Sequence, residues 1–370
     1  MSAGVAGLYV HFPYCTHRCT YCDFPLQTPR RVPQRAFTDA LLAELALRAP
    51  AGPAPTLYVG GGTPSLWALP ELARFVCAAR DGIGVADGAE VTLEANPGQV
   101  DDAWVAGVLA LGVNRVSLGV QALRDDHLAA LTRRHSADDA IAAVRRLAGA
   151  GFRSYSVDLI FGVPGQTLAS WREDLARAVA LGAPHLSVYG LTVEPGTLLA
   201  RDVARGAVTV PDSDLQADLF EAAREALCSA GYEHYEVSNY ALPGHAAVHN
   251  HRYWDGLPYV GLGPGAHGWD GRARWKNHPR VKRWQEALAQ GALPEVERAE
   301  PDAATAAFER VMTGLRRLDT GVDLAPDEAR FLPAARAQAA LGRIELAGTR
   351  IRLTDAGLLL MDDVLLALLG

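Results

Sequence analysis

The chain has 370 residues, of which 49% are hydrophobic and 21% charged, an ordinary globular balance with length for a large domain and a smaller one. Its 35 basic and 42 acidic side chains give a net charge of −7, which argues against non-specific binding of nucleic acid. No apolar run reaches the length of a membrane span, and the start, MSAGVAGLYVHF, lacks the basic and then apolar segments of a secretion signal.

Over residues 1–231, short β-branched runs alternate with stretches of helical periodicity. The predicted strands are Leu8–Phe12, Thr56–Val59, Glu90–Glu94, Arg115–Gln121, Ser154–Phe161 and His185–Leu191. The predicted helices are Arg35–Arg48, Glu71–Arg80, Asp102–Leu111, Ala137–Ala150, Ala169–Leu181 and Ser213–Ala230. Six strand–helix units predict an α/β fold with a parallel sheet, built as a partial (β/α)6 TIM-like barrel. Polar residues follow the strands at their carboxyl ends, where such barrels gather their chemistry.

The helix that begins at Ala137 has sequence signals at both ends. Ser136 with Asp139 resembles a capping box, although the acid is shorter than usual. Gly151 suits the end of this helix.

After residue 231 the composition changes. Residues 232–299 are rich in His, Tyr, Trp and Gly and are predicted to complete the barrel and its site. Residues 300–370 are predicted to form a small winged-helix-like α+β module, with helices over 302–318 and 326–341, a hairpin over 343–353 and a final helix from about residue 355. Because this module has no strong basic stripe, a packing or lid role is favoured over nucleic-acid binding.

Three of the five cysteines lie within eight residues, at Cys15, Cys19 and Cys22. An odd, clustered set fits a metal site in a reducing cytosol better than a disulfide framework, so we expect a cytoplasmic protein. A structural zinc site usually needs four ligands; His17 could be the fourth, but no second pair follows nearby. A 4Fe–4S cluster held by three thiolates instead leaves one iron open to a ligand.

The CxxxCxxC spacing resembles the signature of radical S-adenosylmethionine (SAM) proteins, and it follows the first predicted strand. In that superfamily the amino and carboxylate groups of SAM chelate the open iron. The stretch VGGGTPS follows the second strand, and its glycines would let backbone N–H groups approach a ligand closely. Alone it would be a glycine-rich turn; beside the cysteine motif it resembles the loop that binds the SAM amino group. The resemblance implies a barrel of the radical SAM type.

Further segments narrow the resemblance. Six segments between residue 9 and about residue 267 are similar to segments of oxygen-independent coproporphyrinogen III oxidases and their relatives. They are YVHFPYC, GGGTPS, LEANPG, RVSLGVQ, SVDLIFGVPGQT and GLGPGAH. The resemblance implies that SAM is contacted by Tyr9, Tyr21, Gly61, Gly62, Thr63, Glu94, Gln121, Arg133, Asp158, Thr192 and His267. Simpler structural alternatives remain: Glu94 and Arg133 could form an ion pair, and Gln121 could satisfy a strand end.

Two departures separate the branches of this family. The oxidases carry a fourth cysteine where this chain has Phe24, and they have a long extension before the first strand, which here starts near residue 8. The motifs CDF and HNHRYW (His249–Trp254) match those of the branch of HemW-type haem chaperones. That match implies His249 as an axial haem ligand, with His245 and His251 as alternatives. A hydrogen-bonded His249 in a polar loop over the barrel mouth is the structural alternative.

The function favoured by the resemblance is a haem chaperone that holds a 4Fe–4S cluster, SAM and haem, and delivers haem to an acceptor haemoprotein. It also allows an electron donor of flavodoxin or ferredoxin type and a peripheral membrane contact; nucleic acid is not expected as a partner. The alternative is an enzyme that uses SAM to decarboxylate coproporphyrinogen III oxidatively, so the sequence leaves open whether SAM is cleaved or only bound. A third hypothesis, a winged-helix nucleic-acid binder with the cluster as a sensor, is disfavoured by the negative net charge.

Overall fold

The computed structural model describes residues 5–50 and 52–369, so the expectations for the first four residues lie outside it. Six parallel strands pair in chain order and alternate with helices, as predicted. These strands are β1 Gly7–Phe12, β2 Ala54–Gly61, β3 Val85–Ala95, β4 Arg115–Gln121, β5 Ser154–Phe161 and β6 His185–Gly190. The bounds of β4 and β5 match the prediction, whereas β3 begins five residues earlier than expected.

Eight helices accompany these strands in the described residues. They are α1 Gln34–Arg48, α2 Leu69–Gly82, α3 Asp102–Ala110, α4 Asp125–Ala130, α5 Ala137–Gly149, α6 Leu168–Ala180, α7 Leu198–Ala204 and α8 Ser213–Ser229. Short 3-10 turns at Pro64–Leu66 and Pro97–Gln99 precede α2 and α3. The capping box of α5 is confirmed, because the Ser136 side chain and Asp139 each accept from the other's backbone N–H. Helices α4 and α7 are too short to show a periodicity, and the sequence did not predict them.

The segment after residue 231 extends the sheet at both edges. It contributes β7 Glu233–Glu236, β8 Asn239–Ala241, β9 Tyr259–Leu262, β10 His267–Trp269, β11 Arg274–Asn277 and β12 Glu295–Ala299, with helices α9 Val248–Trp254 and α10 Val281–Ala289. Strand β9 runs parallel to β1, and β8 runs antiparallel to β6. The sheet order is β12-β11-β10-β9-β1-β2-β3-β4-β5-β6-β8-β7. Within the described chain its two outer strands do not pair, so the barrel is partial, as expected.

A buried polar cluster ties α1 to this later segment. The Glu44 carboxylate accepts hydrogen bonds from Gly263 N (2.8 Å), Trp284 Nε1 (2.8 Å) and Asn277 Nδ2 (2.6 Å). Arg48, one turn away on α1, donates to the same carboxylate at 3.1 Å. Since Glu44 is fully buried, these four donors replace the water that its charge would otherwise need.

One hydrophobic cluster joins the strands to the surrounding helices. Near the carboxyl end of β1, the rings of Phe12, Phe37 and Trp67 lie with centroids 5.2–5.6 Å apart, and all three are buried. Phe12 is the last residue of β1. This aromatic packing fixes the point at which residues 13–27, which contain Cys15, Cys19 and Cys22 and which we call the cysteine loop, leave the sheet.

The C-terminal residues form a separate core, centred on Val311, Phe331, Ile351 and Val364. Their elements are α11 Ala303–Gly314, β13 Val322–Asp323, a 3-10 turn Pro326–Phe331, α12 Leu332–Ala340, β14 Ile344–Ala347, β15 Arg350–Leu353, α13 Asp355–Leu359 and α14 Met361–Leu369. The three strands form a small sheet in the order β13-β15-β14, which is the predicted combination of helices and a hairpin. The division of the chain into 1–231, 232–299 and 300–370 stays a prediction. Among the described residues, no helix is both long and apolar enough to cross a membrane.

Candidate functional site

The carboxyl ends of β1–β6 surround a pocket of about 410 Å³, which we call the cysteine pocket. Most of the residues that the sequence selected as site candidates line it. They are Cys15, Cys19, Tyr21, Cys22, Gly61, Gly62, Thr63, Glu94, Gln121, Arg133, Asp158 and Thr192. Side chains from six separate strands therefore converge because parallel strands end at the same edge.

The cysteine loop is held by its own backbone and by one arginine. Cys15 N donates to Gln27 O at 2.9 Å, and Gln27 N donates to Pro13 O at 2.7 Å. The guanidinium of Arg18 donates to the carbonyl oxygen of Phe24 at 3.1 Å. These bonds close the loop around the three thiols without using any cysteine side chain.

The three thiols are free, and two of them receive polar contacts. Thr63 Oγ1 donates to Cys15 Sγ at 3.2 Å, and Arg133 Nη1 lies 3.8 Å from Cys19 Sγ. Burial raises the pKa of Cys15 to about 11 and also raises the pKa of Cys22. The hydroxyl of Thr63 and the charge of Arg133 oppose the rise in the pKa of Cys15 and so favour its thiolate, the form in which cysteine binds metal.

A single metal ion is not supported by this geometry. In the described part of the chain, no group of three or more His, Cys, Asp or Glu side chains is arranged to hold one. His17 Nε2 lies 2.9 Å from Thr132 O and therefore carries the proton, so this nitrogen, which also lies 3.7 Å from Cys19 Sγ, faces that thiol as a donor and not as a metal ligand. The alternative of His17 as a fourth zinc ligand is disfavoured. An iron–sulfur cube has several irons and does not need its three thiolates to converge on one point.

Residues 61–63, which we call the glycine loop, lie directly against the cysteine loop. Gly61 has a φ of +112°, and a Cβ there would lie 2.7 Å from His11 Nδ1. A Cβ on Gly62 would lie 2.8 Å from Tyr14 O and 3.1 Å from Cys15 Sγ. Gly61 needs glycine for its backbone conformation and for the close approach, whereas Gly62 needs it for the close approach alone. A side chain here would also displace the cysteine loop, which the sequence alone did not indicate.

Glu94 lies deep in the pocket and bonds to the strand beside it. Its carboxylate accepts from Tyr58 Oη at 2.8 Å and from Gly61 N at 3.0 Å. Burial, reinforced by the nearby charge of Asp158, raises the pKa of Glu94 to about 7 in spite of these two bonds. The suggested ion pair with Arg133 is absent among the described residues. Glu94 is therefore free to accept from a cationic or N–H group in the pocket.

Arg133 binds the neighbouring strand ends instead. Its Nη2 donates to Asn96 Oδ1 at 2.6 Å and to Gly119 O at 2.9 Å. Asn96 Nδ2 in turn donates to Thr63 Oγ1 at 3.3 Å. Arg133 Nε is buried and has no partner among the described residues. An unpartnered buried donor at a pocket wall is a position that a ligand acceptor would satisfy.

Asp158 and Gln121 complete the far side of the cysteine pocket. The Asp158 carboxylate accepts from Ser117 Oγ and Ser156 Oγ, each at 2.8 Å, and burial raises its pKa. Gln121 has a φ of +70° at the end of β4, where the pairing register with β5 shifts. A non-glycine residue in this conformation is uncommon and often marks a functional site.

Two of the predicted SAM contacts lie elsewhere. Tyr9 and His267 line a second space of about 660 Å³, which we call the tyrosine pocket. Its other lining residues are His11, Asp23, Phe24, Pro25, Tyr253, Tyr259, Gly265, Ala266, Lys276 and Pro279. Asp23 and Phe24 line both pockets and stand between them. Tyr9 and His267 therefore line a different pocket from the other predicted SAM contacts, and their contact with SAM stays a prediction.

Both ring nitrogens of His249 form hydrogen bonds within the protein. It is buried, its Nδ1 lies 2.8 Å from Thr56 Oγ1, and its Nε2 lies 2.7 Å from Tyr253 Oη. Burial and the charge of Arg252 lower its pKa to about 3. Both ring nitrogens already have partners, so in this conformation His249 cannot also bind iron. The structural alternative of a hydrogen-bonded His249 describes the geometry of this conformation, and the role of His249 as axial haem ligand stays a prediction.

Sequence reasoning missed several residues of the cysteine pocket, above all Tyr58, Asn96, Ser117 and Tyr189. Asn96 lies in the segment LEANPG, only two residues after Glu94, so the motif itself offered a signal. Tyr58 and Ser117 face the pocket because alternate residues of a strand point the same way. Their contacts with Glu94 and Asp158 become visible only once the strands are paired.

Comparison with known proteins agrees with this arrangement. A family model described as the radical SAM superfamily matches residues 9–178. The curated protein "Heme chaperone HemW" of Mycobacterium tuberculosis is 41% identical over 98% of this chain and 95% of its own length. HemW of Escherichia coli is 38% identical over 84% of this chain and 82% of its own length. The structure of coproporphyrinogen III oxidase (HemN) from Escherichia coli, a radical SAM enzyme, superposes with a TM-score of 0.85 over 98% of this chain and 89% of that one, at 23% identity; that likeness shows the fold alone.

The barrel and the three-cysteine loop thus define a protein of the radical SAM class. Within that class, the identity over nearly the whole length shows that the chain belongs to the family of the HemW haem chaperones. The predicted fold and family are confirmed.

A 4Fe–4S cluster and SAM are the cofactors of the radical SAM class, and the site fits both. The three free thiols line one pocket, and a hydroxyl donates to one of them. The glycine loop beside them leaves backbone groups accessible, and Arg133 Nε lacks a partner in the described chain. The assignment of individual side chains to either cofactor stays a prediction.

Proposed function

We propose that this chain is a cytoplasmic haem chaperone, which carries haem and delivers it to acceptor haemoproteins. The observation that carries the proposal is the 41% identity to a HemW haem chaperone over 98% of the chain. Phe24 supports it as well, because it stands where the oxidases have their fourth cysteine, and this residue is 52% exposed at the wall of both pockets.

Each part of the cysteine pocket has a separate task in this proposal. Cys15, Cys19 and Cys22 hold the cluster, whose remaining iron would bind SAM through nitrogen and oxygen. Glu94 and the glycine loop orient the ligand by hydrogen bonds. Further residues, by their positions in the pocket, would contact SAM: Tyr21, Thr63, Gln121, Arg133, Asp158 and Thr192.

Cluster assembly is tested by anaerobic reconstitution with iron and sulfide. We expect about four irons per chain, and we expect Ala at position 15, 19 or 22 to abolish the charge-transfer absorption. Cys77→Ala and Cys228→Ala are matched controls, because both thiols are exposed on helices outside the pocket. One bound zinc with no iron would contradict the assignment.

Haem carriage is tested on the reconstituted full chain in two parallel incubations. One contains haem, and the other contains coproporphyrinogen III, SAM and a reductant. Retained haem without formation of protoporphyrinogen supports the chaperone. Conversion of coproporphyrinogen without haem retention would assign the chain to the alternative, a coproporphyrinogen III dehydrogenase.

The proposal also includes an electron donor and a contact with the membrane. A flavodoxin- or ferredoxin-type donor would reduce the cluster, and a peripheral membrane contact would bring haem to membrane-bound acceptors. Flotation with vesicles, with and without the haem-loaded chain, tests the membrane contact directly.

A further inference from the structure

The tyrosine pocket has the size and walls of a ligand site, and the cofactor assignment leaves it without a ligand. Its volume of about 660 Å³ lies in the ~300–1,000 Å³ range of small-molecule and cofactor sites. It lies beside the cysteine pocket, with which it shares Asp23 and Phe24 as lining residues. A molecule in this space would be a neighbour of the cluster without competing for it.

The walls of this pocket are flat and aromatic. Tyr253 and Tyr259 pack edge to face with centroids 4.6 Å apart, and Tyr9 stacks on Tyr58 at 6.0 Å. Phe24 lines the pocket and is an exposed residue. Planar rings with a few polar groups suit a large planar ligand that stacks on them.

One imidazole in the pocket is free to bind a metal. His267 opens β10, is exposed, and has no hydrogen-bond partner among the described residues. Partial burial and the charge of Lys276 lower its pKa. The pocket's other imidazole, His11, has both nitrogens occupied, by Tyr9 Oη at 3.1 Å and Pro25 O at 3.2 Å.

A cation lies next to this imidazole. Lys276 on β11 is paired directly across from His267 on β10 and lines the same pocket. An imidazole with no hydrogen-bond partner in the described chain, beside a lysine and among tyrosine rings, matches the three features of haem: its iron, its anionic propionates and its flat macrocycle.

We propose that haem binds in the tyrosine pocket, with His267 as the axial ligand, Lys276 paired to a propionate, and the aromatic walls against the macrocycle. This inference rests on the proposed haem-carrier function and places its cargo. It assigns a positioning role to His249, whose Nε2 holds the hydroxyl of Tyr253. The motif HNHRYW then shapes the haem pocket from behind rather than ligating the iron.

The test is titration of the reconstituted full-length chain with ferric haem, followed by visible absorption and electron paramagnetic resonance. His267→Ala should weaken binding at least tenfold and remove the spectral signature of histidine ligation. Added imidazole should restore that signature. His245→Ala is the matched control, since His245 is also partly exposed but lies outside both pockets. Lys276→Gln should weaken binding several-fold with the signature intact.

Each result decides between separate claims. If the parent chain binds no haem, the proposed function fails together with this inference. If the parent binds haem and His267→Ala has the parent's spectrum and affinity, only the location is overturned. Loss of the signature in His245→Ala, or in His249→Ala with His267→Ala unaffected, would likewise overturn the location. The iron–sulfur absorption and circular dichroism of each variant show that the barrel is intact, and imidazole rescue keeps the test valid if His267→Ala is less stable.

Discussion

The polar side chains of the cysteine pocket hold one another in place before any ligand binds. Asn96 bridges Arg133 and Thr63, while Tyr58 and Gly61 orient Glu94. Such preorganisation lowers the cost of ordering side chains when a ligand arrives. Arg133 and Glu94 keep unused hydrogen-bonding capacity, so they are the residues best able to form hydrogen bonds with a ligand.

Glu94 should give the ligand-free protein a pH-dependent stability. Its folded-state pKa of about 7 exceeds the unfolded value of about 4.5, so its protonated form stabilises the fold at low pH. That contribution is lost as the pH rises through 7. The unfolding free energy of the parent should therefore fall between pH 5 and pH 8, and in Glu94→Gln this fall should be smaller by on the order of 1–2 kcal/mol. This value includes a reduction for solvent screening, because the side chain of Glu94 faces the open pocket. Denaturant unfolding at both pH values measures it, and equal pH slopes in parent and variant would contradict it.

Thr63 should tune the bound cluster. Its hydroxyl donates to Cys15 Sγ at 3.2 Å, and hydrogen bonds to sulfur stabilise the more negative, reduced state. Thr63→Val keeps the shape but removes this bond, so the reduction potential should become more negative. A redox titration followed by paramagnetic resonance measures the shift. Thr16→Val is the control, because its exposed hydroxyl contacts His17 and no thiol; the same shift in both variants would refute the role of Thr63.

At the scale of secondary-structure elements, the partial barrel depends on polar attachments as well as on its apolar core. Glu44 joins α1 to the loop after β9, to β11 and to α10 through Gly263, Asn277 and Trp284. Burial raises the pKa of Glu44, and the surrounding donors and Arg48 oppose that shift. This one carboxylate therefore connects elements more than two hundred residues apart in the sequence.

Glu44→Gln should destabilise the fold strongly. An amide nitrogen cannot accept from these donors, and Arg48 loses one of its buried anionic partners. We expect a loss of about 3 kcal/mol in unfolding free energy, measured by denaturant unfolding. Arg35→Gln is the control, because Arg35 on the same helix forms only an exposed pair with Asp39 at 3.9 Å, and it should change stability little. Similar losses in both variants would contradict a special role for the buried cluster.

At the scale of the whole molecule, the C-terminal module packs against the part of the chain that supports the tyrosine pocket. Arg317 donates to Asp255 at 2.8 Å, just after α9, and Val237 N donates to Arg316 O at 3.2 Å. Helix α9 carries both His249 and Tyr253. The module is therefore placed to steady that pocket, which agrees with the packing role expected from its lack of a basic stripe.

Loosening this contact should be detectable at α9. Arg317→Ala removes the bonds to Asp255 and Asp319, so hydrogen–deuterium exchange over residues 248–255 should rise severalfold while the cluster absorption is retained. Arg336→Ala, exposed on α12, should leave that exchange unchanged. Unaltered exchange in Arg317→Ala would show that the apolar contacts alone hold the module.

The sequence by itself determined the local elements and the chemistry of the cluster loop. The strands Arg115–Gln121 and Ser154–Phe161 were predicted with their observed bounds, because β-branched runs and nearby turn residues act over a few positions. The cap at Ser136 and the spacing of the three cysteines are equally local. The convergence of residues at the strand ends followed from the rule that parallel strands end at one edge.

Only the tertiary structure decided which side chains share a pocket and which hydrogen bonds are already made. His249 looked like a ligand in the sequence, yet Thr56, almost two hundred residues earlier, occupies its Nδ1. Tyr9 and His267 were grouped with the SAM residues, but the pairing of β9 with β1 and of β10 with β9 places them in a second pocket. The reason is physical: a motif fixes the type and spacing of its side chains, whereas their neighbours and remaining donors depend on contacts between distant segments.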